Sequence, residues 1–142
     1  MLQRVIIGVA IVAGIYIASI YVRVYFWRED AGQFVANLLL AIARPWSAER
    51  IIEHASLALK ASPRDPIVAK AEGGDAVLGQ FVKVASAPDC KIDRGVDSYT
   101  GNKYTYAFCS TTAEFEKRTV ALHFRLVKQR DQWRLDDFTV DK

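Results

Sequence analysis

The sequence predicts an α+β fold behind a membrane anchor. A transmembrane helix lies in residues 1–28, and an extracytoplasmic domain over 29–142 packs two helices on an antiparallel sheet of three to four strands. Three observations carry that expectation. Eighteen uncharged, mostly apolar residues run from Val5 to Val22 and, at ~1.5 Å each, span roughly 27 Å, close to a bilayer's hydrocarbon thickness. Apolar residues then recur at helical spacing as far as Leu59. Beyond Gly73-Gly74 the period shortens to two, and helices first with a run of long strands after them is an α+β order.

The anchor comes first. Tyr21, Tyr25, Phe26 and Trp27 cluster at its C-terminal end, where amphipathic rings favour the headgroup level. Arg23 can send its guanidinium outward along its alkyl stem. A cleaved signal peptide has a shorter apolar run and a small-residue cleavage site; here bulky aromatics stand where the cut would fall. Ala10, Gly14 and Ala18 recur every four residues on one helix face, a spacing that lets a second transmembrane helix approach closely. Arg4 before the span and Arg23 and Arg28 after it leave the positive-inside rule undecided.

Asp30 and Gln33 are spaced as a capping box for a helix whose face holds Phe34, Leu38, Ala41 and Ile42. That helix either continues the anchor or bends away at 28–32, and Pro45 stops it. Residues 31–43 carry no Lys or Arg, so this face is expected on the domain's own sheet rather than on lipid. Ser47 caps the next helix, with Glu49 in its first turn and Ile51, Ile52, Ala55, Ala58 and Leu59 on its apolar face; Ser62-Pro63 ends it. A further turn is expected over 67–72.

Strands are expected over 77–84, 103–112, 117–128 and 133–140, with a short piece around 90–93 inside a loop. Tyr104, Tyr106 and Phe108 alternate against Thr105, Ala107 and Cys109, and the aromatic side is expected to be core. Val120, Leu122, Phe124 and Leu126 alternate against Thr119, Ala121, His123 and Arg125. In the last strand Phe138 and Val140 share a face with Trp133 and Leu135 only through a bulge near Asp136-Asp137.

Three of the 19 basic residues (Arg4, Arg23, Arg28) belong to the anchor and its flanks, and all 16 acidic residues lie at Glu29 or later. Residues 29–142 therefore hold 16 of each sign, without the basic footprint of a nucleic-acid binder. Cys90 and Cys109 are an even pair in a small exported domain, read as a disulfide, with two buried free thiols as the alternative. The bond would close a loop of about 20 residues, worth roughly 3 kcal/mol by chain entropy. It places the N-terminus in the cytoplasm and the domain in the periplasm of an inner-membrane protein. The two cysteines have too few companion ligands for zinc. His54 lies beside Ile51 and Ala55, and His123 lies away from the expected core. Neither these nor Ser86, Ser98 and Ser110 stand in a nucleophile–base motif, so no catalytic residue, metal or cofactor is expected. Tyr99, between Gly95 and Gly101, and Tyr104 are the candidates for partner contact.

The element order, with the ending Lys128-Gln-Arg-Asp-Gln-Trp133-Arg-Leu-Asp-Asp-Phe138-Thr-Val, resembles the cystatin-like and nuclear-transport-factor-2-like folds. The resemblance covers 30–142 and concerns topology and one terminal strand. It implies a membrane-tethered accessory or assembly subunit that meets the bilayer and other membrane subunits, with a homodimer as a further possibility. Enzymatic relatives carry acidic and histidine residues inside the cone of sheet and helices; the alternative here is a tethered ligand-binding domain or small enzyme with a pocket between sheet and helices.

Overall fold

The computed structural model describes residues 1–96 and 100–141. Helix α1 (Leu2–Ile42) is one unbroken helix of 41 residues, about 60 Å long. The capping box expected at Asp30 does not form, because 28–32 contains no proline and the main-chain ladder runs straight through it. The two halves of α1 meet different surroundings. Up to Phe26 nearly every side chain is exposed, and the apolar run has no partner among the described residues. Farther on, Ala31, Val35, Leu38, Leu39 and Ile42, three or four residues apart, are fully buried. By length and composition this single helix can cross a membrane.

After α1 come α2 (Ala48–Glu53), α3 (Leu57–Ala61) and α4 (Arg64–Leu78). The single helix expected from Ser47 to Leu59 is broken at 54–56. Leu135 of the last strand donates its N–H to the His54 carbonyl, and Ser56 donates its N–H to the Leu135 carbonyl. That pairing draws two main-chain groups out of the helix, and Ser56 then caps α3 by accepting from Leu59 N–H at 3.1 Å. The turn expected over 67–72 is a full helix of 15 residues that passes through Gly73 and Gly74. Glycine doublets normally end helices; here a Cβ on Gly74 would lie 2.6 Å from the Trp46 ring, so the missing side chain seats the indole.

Five strands follow: β1 (Phe81–Val84), β2 (Asp89–Val96), β3 (Lys103–Phe115), β4 (Thr119–Gln129) and β5 (Gln132–Val140). They occupy four positions. β1 and β2 lie end to end along one edge of β3, and β4 and β5 follow, all antiparallel. Sequence periodicity misses most of β2, because its edge position leaves Asp89, Lys91, Asp93 and Arg94 exposed. The bulge near Asp136-Asp137 is present: Arg125 pairs with Asp137, the next residue Leu126 pairs with Leu135, and Asp136 is left between.

The second half of α1 fills the concave side of the sheet. Its buried side chains belong to one core with Ala107, Cys109, Ala113, Leu122, Phe124, Leu126 and Leu135. At the far end Trp46 stacks on Phe115 and Phe138, with ring centroids 5.8 and 6.4 Å away. Its indole N–H donates to the Gly79 carbonyl at 2.8 Å.

Of the three aromatic residues of β3 expected in the core, Tyr106 is buried and Tyr104 half-buried, but the side of the strand that meets α1 is the other one. Ala107, Cys109, Ala113 and Phe115 point to α1, whereas Phe108 is 47% exposed on the other side. Close approach of a helix selects small residues beneath it, and alternation alone does not say which face is inward.

Candidate functional site

The outward face of the sheet gathers polar and aromatic side chains that the fold does not need for its core. At its centre is Phe108 on β3, directly opposite Arg125 on β4. Two hydrogen-bonded groups flank this pair.

On one side stands Arg125 with Asp136 and Ser56. The β5 bulge turns Asp136 inward until its side chain is only 8% exposed. One carboxylate oxygen accepts from Ser56 Oγ at 2.8 Å and the other from Arg125 Nε at 2.6 Å. A carboxylate this buried is held by paired donors, and it in turn fixes the guanidinium that reaches the surface. The groove beside it, about 710 Å³, runs between α3 and the sheet and is lined by Leu59, Arg94, Val96, Tyr106 and Phe108 among others. The Tyr106 ring is seated diagonally across Gly95 of β2: a Cβ on that glycine would come within 2.9 Å of the ring.

On the other side is Ser110 with His123 and Asp141. Ser110 and His123 are cross-strand partners on β3 and β4. Ser110 Oγ lies 2.9 Å from His123 Nδ1, and His123 Nε2 lies 3.1 Å from Asp141 Oδ2. A hydroxyl, an imidazole and a carboxylate in series are the parts of an activated nucleophile. The setting differs from an enclosed site. His123 and Asp141 are 48% and 60% exposed at their side chains, and Ser110 lies mid-sheet where its own amide belongs to the ladder. Sequence reasoning missed this trio because it read Tyr104, Tyr106 and Phe108, whose parity Ser110 shares, as the inward side of β3, while His123 fell on the wet side of β4. The signal was available in the shared parity of the two strands.

The residues singled out from the sequence are dispersed. Cys90 and Cys109 are cross-strand partners joined by a disulfide across β2 and β3 on the core side. Ala10, Gly14 and Ala18 are exposed on α1, and nothing lies within 4 Å of a Cβ placed on Gly14. Tyr104 is half-buried at the start of β3, in a groove with Arg94, Val96 and Lys103. Tyr99 lies outside the described residues. Asp136 lies at the expected bulge, and its side chain is buried there. Among the described residues no three His, Cys, Asp or Glu side chains are placed to hold a metal ion.

No family model, curated protein or solved structure matches this chain.

Proposed function

We propose that the chain is a non-enzymatic, single-pass membrane protein that serves as an accessory, stabilising or assembly subunit of a membrane complex. One observation carries this reading: α1 is a single helix whose apolar half has no partner among the described residues and whose other half is built into the core of the domain. A partner helix gripping the first half thereby holds the domain in a fixed pose. The small residues Ala10, Gly14 and Ala18 offer the place of grip. The topology supports the resemblance to cystatin-like domains, with one helix cradled by an antiparallel meander. The Cys90–Cys109 disulfide supports an N-terminus in the cytoplasm and a domain in the periplasm of an inner membrane, because such bonds persist in oxidising compartments.

The test is extraction from native membranes in mild detergent, native-gel separation and mass spectrometry of the co-migrating band. The reading expects a defined set of membrane proteins, released by Gly14→Leu. A free monomer or homodimer would sink it.

A second reading is favoured by Ser110, His123 and Asp141: a tethered small enzyme acting on acyl substrates at the outward sheet face. Here Ser110 is the nucleophile, His123 the base, and Arg125 the cation beside the developing oxyanion. Covalent labelling by a fluorophosphonate that disappears in Ser110→Ala would support it. Labelling that persists in that variant, or none at all, would discard it.

A further inference from the structure

The β1–β2 edge runs back along α1 toward its N-terminus. Phe81 N–H donates to the Ala43 carbonyl at 2.9 Å. Lower down, a Cβ on Gly32 would lie 3.6 Å from the Pro88 oxygen. Lower still, Arg28 Nε donates to the Cys90 carbonyl at 2.7 Å. From Ala43 to Arg28 is roughly 22 Å along the helix axis. On β3 the partners of Phe81 and Cys90 are Phe115 and Cys109, six residues or roughly 20 Å apart, so the edge runs nearly parallel to α1. Cys90 to Val96 is ~20 Å more of strand, which carries Val96 below Arg23 and alongside the apolar run.

β4 points the same way as β2. Lys128 Nζ lies 4.9 Å from the Trp27 ring centroid, at the end of α1's exposed half. The Arg130–Asp131 turn projects beyond it, with φ of 51° and 60° at two residues that are not glycine. Val24, amid exposed neighbours, is already half-buried at this level.

We infer that the domain rests on the bilayer that holds α1, with the β2–β3 end and the β4–β5 turn set into an anionic headgroup layer. This rests on the reading of α1 as a membrane anchor. The chemistry at the two ends suits that layer. In sequence Arg94, Lys103, Lys128 and Arg130 outnumber Asp93, Asp97 and Asp131 by one, and anionic lipid draws basic side chains. Val96 is 63% exposed, and beside it Tyr104 supplies an amphipathic ring at the depth where tyrosine is enriched. Between them lies a groove of about 480 Å³ lined by Arg94, Val96, Lys103 and Tyr104, open to a phosphate from below. The chain therefore touches the membrane at three points rather than one, and the domain does not swing on its helix.

The experiment uses the full-length chain in vesicles of neutral phosphatidylcholine, with or without anionic phosphatidylglycerol, doped with headgroup-spin-labelled lipid. The disulfide leaves an introduced thiol as the single labelling point. A fluorophore is placed at V96C, at N102C in a second variant, and at R118C in the turn at the opposite end of the sheet. The inference expects V96C and N102C to be quenched several-fold more than R118C. It also expects that quenching to deepen with anionic lipid and to weaken when R94Q and K103Q are added. Equal quenching at both ends, in protein that floats with the vesicles, would overturn the inference and leave the anchor standing. Protein that does not float would overturn the anchor reading and the inference with it.

Discussion

Gly73 and Gly74 are neighbours in α4, and replacing each by alanine separates two effects that normally arrive together. In a helix interior, glycine to alanine gains about 1 kcal/mol, because alanine surrenders less backbone freedom on folding. Nothing lies within 4 Å of a Cβ on Gly73, so Gly73→Ala should show that gain undiminished. At Gly74 the new Cβ would meet three Trp46 ring atoms at 2.6, 2.7 and 2.9 Å. The indole cannot retreat easily, since it stacks between Phe115 and Phe138 and donates to the Gly79 carbonyl. Overpacking of this kind costs about 1–3 kcal/mol. Net of the helical gain, Gly74→Ala should be neutral to destabilising by about 2 kcal/mol. The two variants should therefore differ by about 1–3 kcal/mol, or several degrees in Tm for a domain of this size. Denaturation in detergent followed by tryptophan fluorescence measures both, and Trp46 itself reports the contact. Equal stabilisation by the two alanines would refute the seating of Trp46 on α4.

Three further outcomes follow from the geometry. Replacing Arg130-Asp131 by Asn-Gly should stabilise the protein by about 1–2 kcal/mol, since both positions have positive φ and that pair suits such a turn; an unchanged or lower unfolding midpoint would argue against it. Ser56→Ala removes the cap of α3 and one donor to Asp136, and should cost about 1–3 kcal/mol by chemical denaturation; a loss within error would mean that the bulge is held by Arg125 alone. The Glu49 carboxyl is held below its ordinary value by a main-chain hydrogen bond at its own residue, with Ser47 and Arg64 adding to this against partial desolvation. Its stabilising contribution is complete above the ordinary carboxylate range and disappears as pH falls through the lowered value, so Glu49→Gln should flatten the acid limb of a stability–pH curve. A limb of the same slope in both proteins would remove that residue from the account.

Much of the architecture was legible because the periodicities are clean. The buried positions of α1 from Ala31 to Ile42 follow the helical repeat, and Val120, Leu122, Phe124 and Leu126 follow the strand repeat inward. The bulge at Asp136 was readable because it reconciles Trp133 and Leu135 with Phe138. What failed were long-range events without a local signature. Nothing near Ser56 announces that Leu135 will pair with its main chain and divide a helix, and nothing near Gly74 announces an indole from a different segment. The inverted faces of β3 had the widest consequence. Placing Phe108 inward concealed the outward surface, and with it the alignment of Ser110, His123 and Asp141.

The unbroken course of α1 makes it a shaft with a defined angular phase. In an ideal helix the line through Ala10, Gly14 and Ala18 and the line through Ala31, Val35, Leu38 and Ile42 are offset by roughly 90°. One residue inserted between Tyr25 and Phe26 would turn the sheet by about 100° about that line and lift it by about 1.5 Å, with the contacts of α1 beyond Phe26 retained. Seven residues would restore the phase to within about 20° and raise the domain by about 10 Å. The number of residues in the shaft thus sets both orientation and height, and only a number that keeps the two basic ends of the sheet at the headgroup layer preserves their contact with it.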